Sequence, residues 1–154
     1  MTIYLLAFGI GVIAGLRAMT APAAVSWAAY LGWLHLAGTP LAFLGSIWAV
    51  GVLTLLALGE LVTDQLPATP SRKVPVQFGA RIVSGALCGA GLGAAAGGLI
   101  GGLVAGIGGA VIGTLGGAEA RGRLAGIFGK DRPAGLLEDA VAIGGALLIV
   151  LAAR

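Results

Sequence analysis

Charge is what this sequence has least of. Only 10% of its 154 residues are Asp, Glu, Lys or Arg, whereas a soluble domain spends about 25% on charge because it has a surface to wet. Hydrophobic residues make up 58% and the mean hydropathy is +1.05. A chain so poor in charge cannot cover a water-facing surface, so lipid is its solvent over most of its area. Length allows one domain.

Cysteine and histidine occur once each. A lone Cys88, set in an apolar run, excludes a disulfide framework and a cysteine metal site. A lone His35 excludes histidine clusters, so no metal and no cofactor is expected. Without a positioned Cys or His, only carboxylates are left for catalysis, and an enzyme is not expected. No Walker or dinucleotide fingerprint is present, and nothing points to nucleic acid. The opening M-T-I-Y-L-L-A-F has no basic region and a second apolar segment follows at once. It reads as a first membrane segment and not as a cleaved signal.

What is there is apolar sequence in long runs. The expected fold is all-α, a polytopic helical membrane protein with five to six transmembrane segments near 3–19, 21–37, 41–62, 80–97, 99–118 and 134–153. Residues 3–16 are short for a crossing, so Arg17 would snorkel to extend the segment or the segment would re-enter. Thr20 is the expected N-cap of the second helix, with Pro22 in its first turn. Tyr30, Trp33 and His35 gather at its far end as an interfacial belt does. Residues 82–118 are too long for one crossing, roughly 55 Å as helix, and are divided at Gly97-Gly98.

The polar residues fall in two stretches, 63–79 and 119–133. The first interrupts the chain with Pro67, Pro70 and Pro75, which stop it from being helix throughout. If every segment crosses, Arg17 and both stretches share one side, together with all the basic residues except Arg154 and all the acids. The positive-inside rule makes that side cytoplasmic and puts both termini outside.

Two short motifs match: Gly15-Leu16-Arg17-Ala18-Met19-Thr20 and Gly79-Ala80-Arg81-Ile82-Val83-Ser84, both G-x-R-x-x-[T/S]. Gly59-Glu60 is echoed by Ala118-Glu119, and Ser71-Arg72 by Asp131-Arg132. The pattern suggests an internal two-span repeat, and transporter sites tend to lie at repeat interfaces. A hydroxyl at a helix start with an arginine one turn before it suits capture of an anionic solute or a lipid phosphate. The plainer reading is that Arg17 and Arg81 mark topology and Thr20 and Ser84 are ordinary caps.

Glu60 and Asp64 share a helix face. Two like charges there repel unless a basic residue, a cation or a proton intervenes. Glu138 and Asp139 are adjacent and point in different directions. Carboxylates near membrane helices are functional candidates; alternatively, Glu60, Asp64, Glu119, Glu138 and Asp139 pair with the basic residues of their own layer. Glycines recur every four residues at 85, 89, 93, 97 and 101, and again at 109, 113 and 117. Such stripes let helix backbones touch in lipid, as in a glycine zipper, within one chain or across a homodimer.

G-L-R-A-M-T-A-P-A-A (15–24), G-E-L-V-T-D-Q-L-P-A-T-P-S-R (59–72), A-R-I-V-S-G-A-L-C-G-A (80–90) and K-D-R-P-A-G-L-L-E-D-A-V-A-I-G-G (130–145) resemble the domain-of-unknown-function 4126 family of small bacterial membrane proteins. The resemblance covers almost the whole chain and implies a polytopic membrane protein with no catalytic residues to carry over.

The expected function is a small multi-pass transporter or channel of the bacterial inner membrane, working as a homo-oligomer, with a dimer favoured. It would handle a small ion, an anionic solute or a lipid headgroup. Its ligand-binding residues would be Arg17, Thr20, Glu60, Asp64, Arg81, Ser84, Glu119, Glu138 and Asp139. The alternative is a non-transporting scaffold or accessory subunit that docks a partner through its charged face. Membrane lipid is a partner in either case.

Overall fold

The computed structural model describes residues 1–66, 71 and 73–154. Pro67, Pro70 and Arg72, singled out above, lie outside the described residues. Helices form wherever the chain is apolar, because lipid offers backbone groups no partner and a helix satisfies them within the segment. Among the described residues there are six: α1 Thr2–Leu16, α2 Thr20–Tyr30, α3 Ile47–Thr63, α4 Pro75–Ala95, α5 Leu99–Phe128 and α6 Asp131–Ala152. Among the described residues there is no strand. Three helices, α4, α5 and α6, are long and apolar enough to cross a membrane, while α1 and α3 are shorter apolar helices.

The helix ends follow local chemistry, and several differ from expectation. Pro75 opens α4, ahead of the start expected at 80, after Val74 in extended conformation, where its missing N–H costs nothing. The second apolar run is helical only as far as Tyr30. Gly32 and Gly38, at φ 77° and 79°, turn the chain back, a conformation that glycine takes without a Cβ penalty. A 3-10 turn at Ala42–Gly45 follows, and Ser46 then caps α3 by accepting the Ala49 N–H at 3.1 Å. At the other end of the chain, α5 runs on to Phe128, so much of the stretch expected to be polar loop at 119–133 is helix. Gly129, at φ 66°, ends it, and α6 begins within two residues.

The centre of the molecule is α1 packed against α4 and α5. There the glycines matter through what they lack. A Cβ on Gly89 would lie 2.8 Å from the Gly106 Cα, one on Gly93 2.9 Å from the Gly102 Cα, and one on Gly11 2.9 Å from the Gly106 Cα. Backbone therefore meets backbone along α4–α5 and α1–α5. The partner changes along α5: Gly102 meets α4, Gly106 meets both α4 and α1, and Gly109 and Gly113 meet Phe8 and Val12 of α1. Gly97 belongs to neither stripe. It sits at φ 75° in the turn between α4 and α5.

Around this centre an apolar core joins Ile10 and Ile13 of α1, Val25 of α2, Leu92 of α4 and Val150 of α6. By contrast α3 buries only Val50 and Ala57 and packs on α2 and the 3-10 turn. Direction alternates from helix to helix. Ile149 covers Gly9 and Ile13 covers Gly145, so α1 and α6 are antiparallel. Tyr4 lies over Gly98 and Gly101, and the Arg154 guanidinium sits 5.5 Å from the Trp33 ring. One end of the bundle thus holds the start of α1, the loop after α2, the Gly97 turn and the end of α6. The opposite end holds the break between α1 and α2 and nearly every charge.

Candidate functional site

The break at Arg17-Ala18-Met19 creates a problem and the cluster around it is the solution. A helix that stops leaves carbonyls without donors, and one that starts leaves N–H groups without acceptors. In an apolar setting each such group costs free energy unless a partner is found. The carbonyls of Gly15 and Leu16, at the end of α1, accept hydrogen bonds from the Arg81 guanidinium at 2.9 and 2.7 Å. The N–H groups of Ala18 and Met19, at the start of α2, donate to the two carboxylate oxygens of Glu60 at 2.7 and 2.8 Å. The Ser84 hydroxyl donates to the Ala18 carbonyl. Each charge also complements a helix dipole: a cation at a C-terminus and an anion at an N-terminus. Arg81 and Glu60 approach each other at 3.8 Å.

Two expected roles change here. Thr20 does not cap α2: the N-cap is Met19 and makes no side-chain cap bond, while the buried Thr20 hydroxyl has no hydrogen-bond partner. Ser84 caps nothing either. It lies inside α4, and its hydroxyl reaches across to the neighbouring break. A carboxylate from α3 performs the capping that a local hydroxyl was expected to perform, because two oxygens with a full charge serve two N–H groups at once.

Arg17 does not snorkel. Its side chain is fully buried, and a charge out of water needs opposite charge beside it. Its Nε donates to Asp139 of α6 at 2.6 Å, and it pairs with Asp64 at the end of α3. Gln65 donates to the other oxygen of Asp139 at 3.0 Å. Arg121, on the last turns of α5, reaches Asp64 and Glu138 at 3.4 Å each and Asp131 at 2.6 Å. Three arginines (17, 81 and 121) therefore face five carboxylates (60, 64, 131, 138 and 139) across four helices and the α3 end. The adjacent Glu138 and Asp139 serve different arginines.

Of the residues anticipated from sequence, Arg17, Glu60, Asp64, Arg81, Ser84, Glu138 and Asp139 meet in this cluster. Glu119 does not. It is exposed on α5 and pairs with Arg123 one turn on at 2.9 Å. Arg121, Asp131 and Gln65 belong to the cluster and were not anticipated. Helical sequence continuing past residue 118 could have placed Arg121 on α5, but nothing local marked it as the charge that turns toward α6. Among the described residues no three His, Cys, Asp or Glu side chains are placed to hold a metal ion.

A bundle of apolar helices around a buried arginine–carboxylate cluster, with the chain turning back between two helices at that cluster, is the design of an integral membrane protein. The sequence matches the family described as "Domain of unknown function (DUF4126)" over residues 4–153, and the chain belongs to that family. No curated protein and no solved structure matches it.

Proposed function

We propose that this is a small multi-pass carrier of the bacterial inner membrane for a small anionic solute bearing a carboxylate or phosphate, bound at the α1–α2 break. One observation carries the reading: both oxygens of the Glu60 carboxylate sit on consecutive N–H groups at a helix start with the Arg81 guanidinium behind them. That is the geometry by which proteins hold an anion, and the present occupant is the protein's own side chain. Glu60 rides on α3, the helix that buries least. A solute carboxylate that displaced it would replace like with like, so the charge of the cluster would not change. The unpartnered Thr20 hydroxyl in the first turn of α2 supplies a further donor.

In this reading the glycine-faced centre of α1, α4 and α5 is the rigid part, a glycine zipper, and α2–α3 is the part that moves. The two G-x-R-x-x-[T/S] motifs are an internal repeat in which one copy has opened into a helix break. The charged end faces the cytoplasm, and two copies form the working unit. Glu60→Ala, which empties the carboxylate position, tests the site directly. Formate should raise the thermal midpoint of the detergent-purified variant and leave the wild type unmoved; no response would remove the site. Transport itself is tested in proteoliposomes with a panel of small carboxylates and inorganic phosphate. Equal leak from wild type, Arg81→Ala and empty vesicles would end it. A scaffold that docks a partner is favoured by a different feature, the exposed basic rim of Lys73, Arg123, Lys130 and Arg132. A stoichiometric partner on copurification would select it.

A further inference from the structure

Beside the cluster two cavities lie side by side with opposite chemistry, the first touching the α1–α2 break only at Leu16. The first is a groove of about 250 Å³ between α5 and α6, walled by Gly116, Ala120, Leu124, Ala134, Leu137 and Val141. It exists because small residues face one another along the seam. A Cβ on Gly116 would meet nothing within 4 Å. From Gly116 to Leu124 it runs roughly 12 Å along the helix axis. The second cavity, of about 480 Å³, is lined by Gln65, Leu66, Lys130, Asp131 and Arg132. The two are joined through one ion pair: Arg121 borders the groove and Asp131 borders the second cavity, 2.6 Å apart.

The charge at this junction is divided in a way that selects a ligand. Arg121 is engaged by Asp64, Asp131 and Glu138, so it has little attraction left for an outside anion. Lys130 and Arg132 are exposed at the start of α6 and line the second cavity. An apolar slot beside a cationic cavity complements a single amphiphilic molecule with an anionic head. The level in the membrane agrees. α5 is roughly 45 Å long, more than a hydrocarbon core of about 30 Å; its charged end is the one suited to headgroup level, with the Gly116 end of the groove toward the hydrocarbon.

We propose that an anionic phospholipid binds here, with its phosphate between Lys130 and Arg132 and one acyl chain in the α5–α6 groove. The juxtaposition of the two cavities carries this, and it does not depend on what the α1–α2 break binds. Two variants test it. Lys130→Ala/Arg132→Ala removes the head contacts on exposed side chains. Gly116→Leu fills the slot from a position with open space. The wild type and both variants, purified in mild detergent, are titrated with long-chain phosphatidylglycerol, long-chain phosphatidylcholine and inorganic phosphate and read by native mass spectrometry.

The wild type should retain phosphatidylglycerol over phosphatidylcholine, and each variant should bind it roughly tenfold more weakly or worse. Equal retention of the two lipids, or undiminished binding by either variant, overturns the proposal. Displacement of the lipid by inorganic phosphate would mark a site for the free anion and overturn it as well. So would a switch from dimer to monomer in Gly116→Leu, which would make a second copy the occupant of the groove.

Discussion

Arg17 and Asp139 are 122 positions apart in the chain, and the Arg17 Nε donates to the Asp139 carboxylate at 2.6 Å with the arginine fully buried. The pair ties the end of α1 to the first turns of α6. It stands beside the two helix ends that Arg81 and Glu60 close, and that second pair does two jobs: its charges approach each other and each closes backbone groups.

Arg17→Met should therefore be among the most damaging single changes. Among the described residues it leaves Asp139 with no cation and Asp64 with only Arg121 at 3.4 Å, and breaking a buried pair costs about 3–5 kcal/mol. Arg17→Lys should recover only part of that loss, since an ammonium cannot present the guanidinium fork to two carboxylates. Thermal unfolding in detergent orders the three proteins: wild type, then Lys, then Met. Equal midpoints would show that the cluster contributes nothing to stability.

Glu60→Gln keeps the size of the side chain and loses the charge and one of the two acceptors. One of the Ala18 and Met19 N–H groups is then left without its partner, at a cost of about 1–3 kcal/mol. Hydrogen exchange read at the start of α2 should accelerate locally, while α4 and α5 stay protected. Uniform acceleration over the whole chain would contradict the assignment of Glu60 as the cap of α2.

Glycine substitutions should divide sharply by position. Gly89→Ala places a Cβ 2.8 Å from the Gly106 Cα, with backbone that cannot step aside, and should cost about 1–3 kcal/mol or prevent folding. Gly122→Ala, on the same pair of helices but with nothing within 4 Å, should be neutral or stabilise by about 0.5–1 kcal/mol. Expression yield and thermal midpoint together separate the two.

Single-cysteine labelling tests which end of the bundle is which. Cys88 is fully buried and should stay silent toward an impermeant maleimide. Lys73→Cys and Lys130→Cys should react from one side of the membrane, and His35→Cys from the other. Labelling of Lys73→Cys and Lys130→Cys from opposite sides would undo the arrangement described here.

Some of the site was legible in the chain and some was not. Glu60, Arg81 and Arg17 stood out because a charge in an apolar sequence is costly and so carries information. Arg121 did not stand out, since among the neighbouring charges of 119–132 nothing local distinguishes the residue that turns inward from those, such as Glu119 and Arg123, that pair at the surface. The caps were misassigned for a related reason. Thr20 and Ser84 have the chemistry of local caps, but a carboxylate and a guanidinium from distant helices reached the open backbone groups instead.

Composition marked this chain as lipid-solvated, and its long unbroken apolar runs marked it as helical, because in lipid the backbone must be satisfied internally and such runs lack the alternation of barrel strands. Glycine spacing marked the faces able to approach closely. Only the tertiary structure decided which faces meet, where α1 breaks, and which arginine answers which carboxylate. Those choices rest on contacts between residues dozens of positions apart, and a buried charge takes whichever opposite charge the packing brings to it.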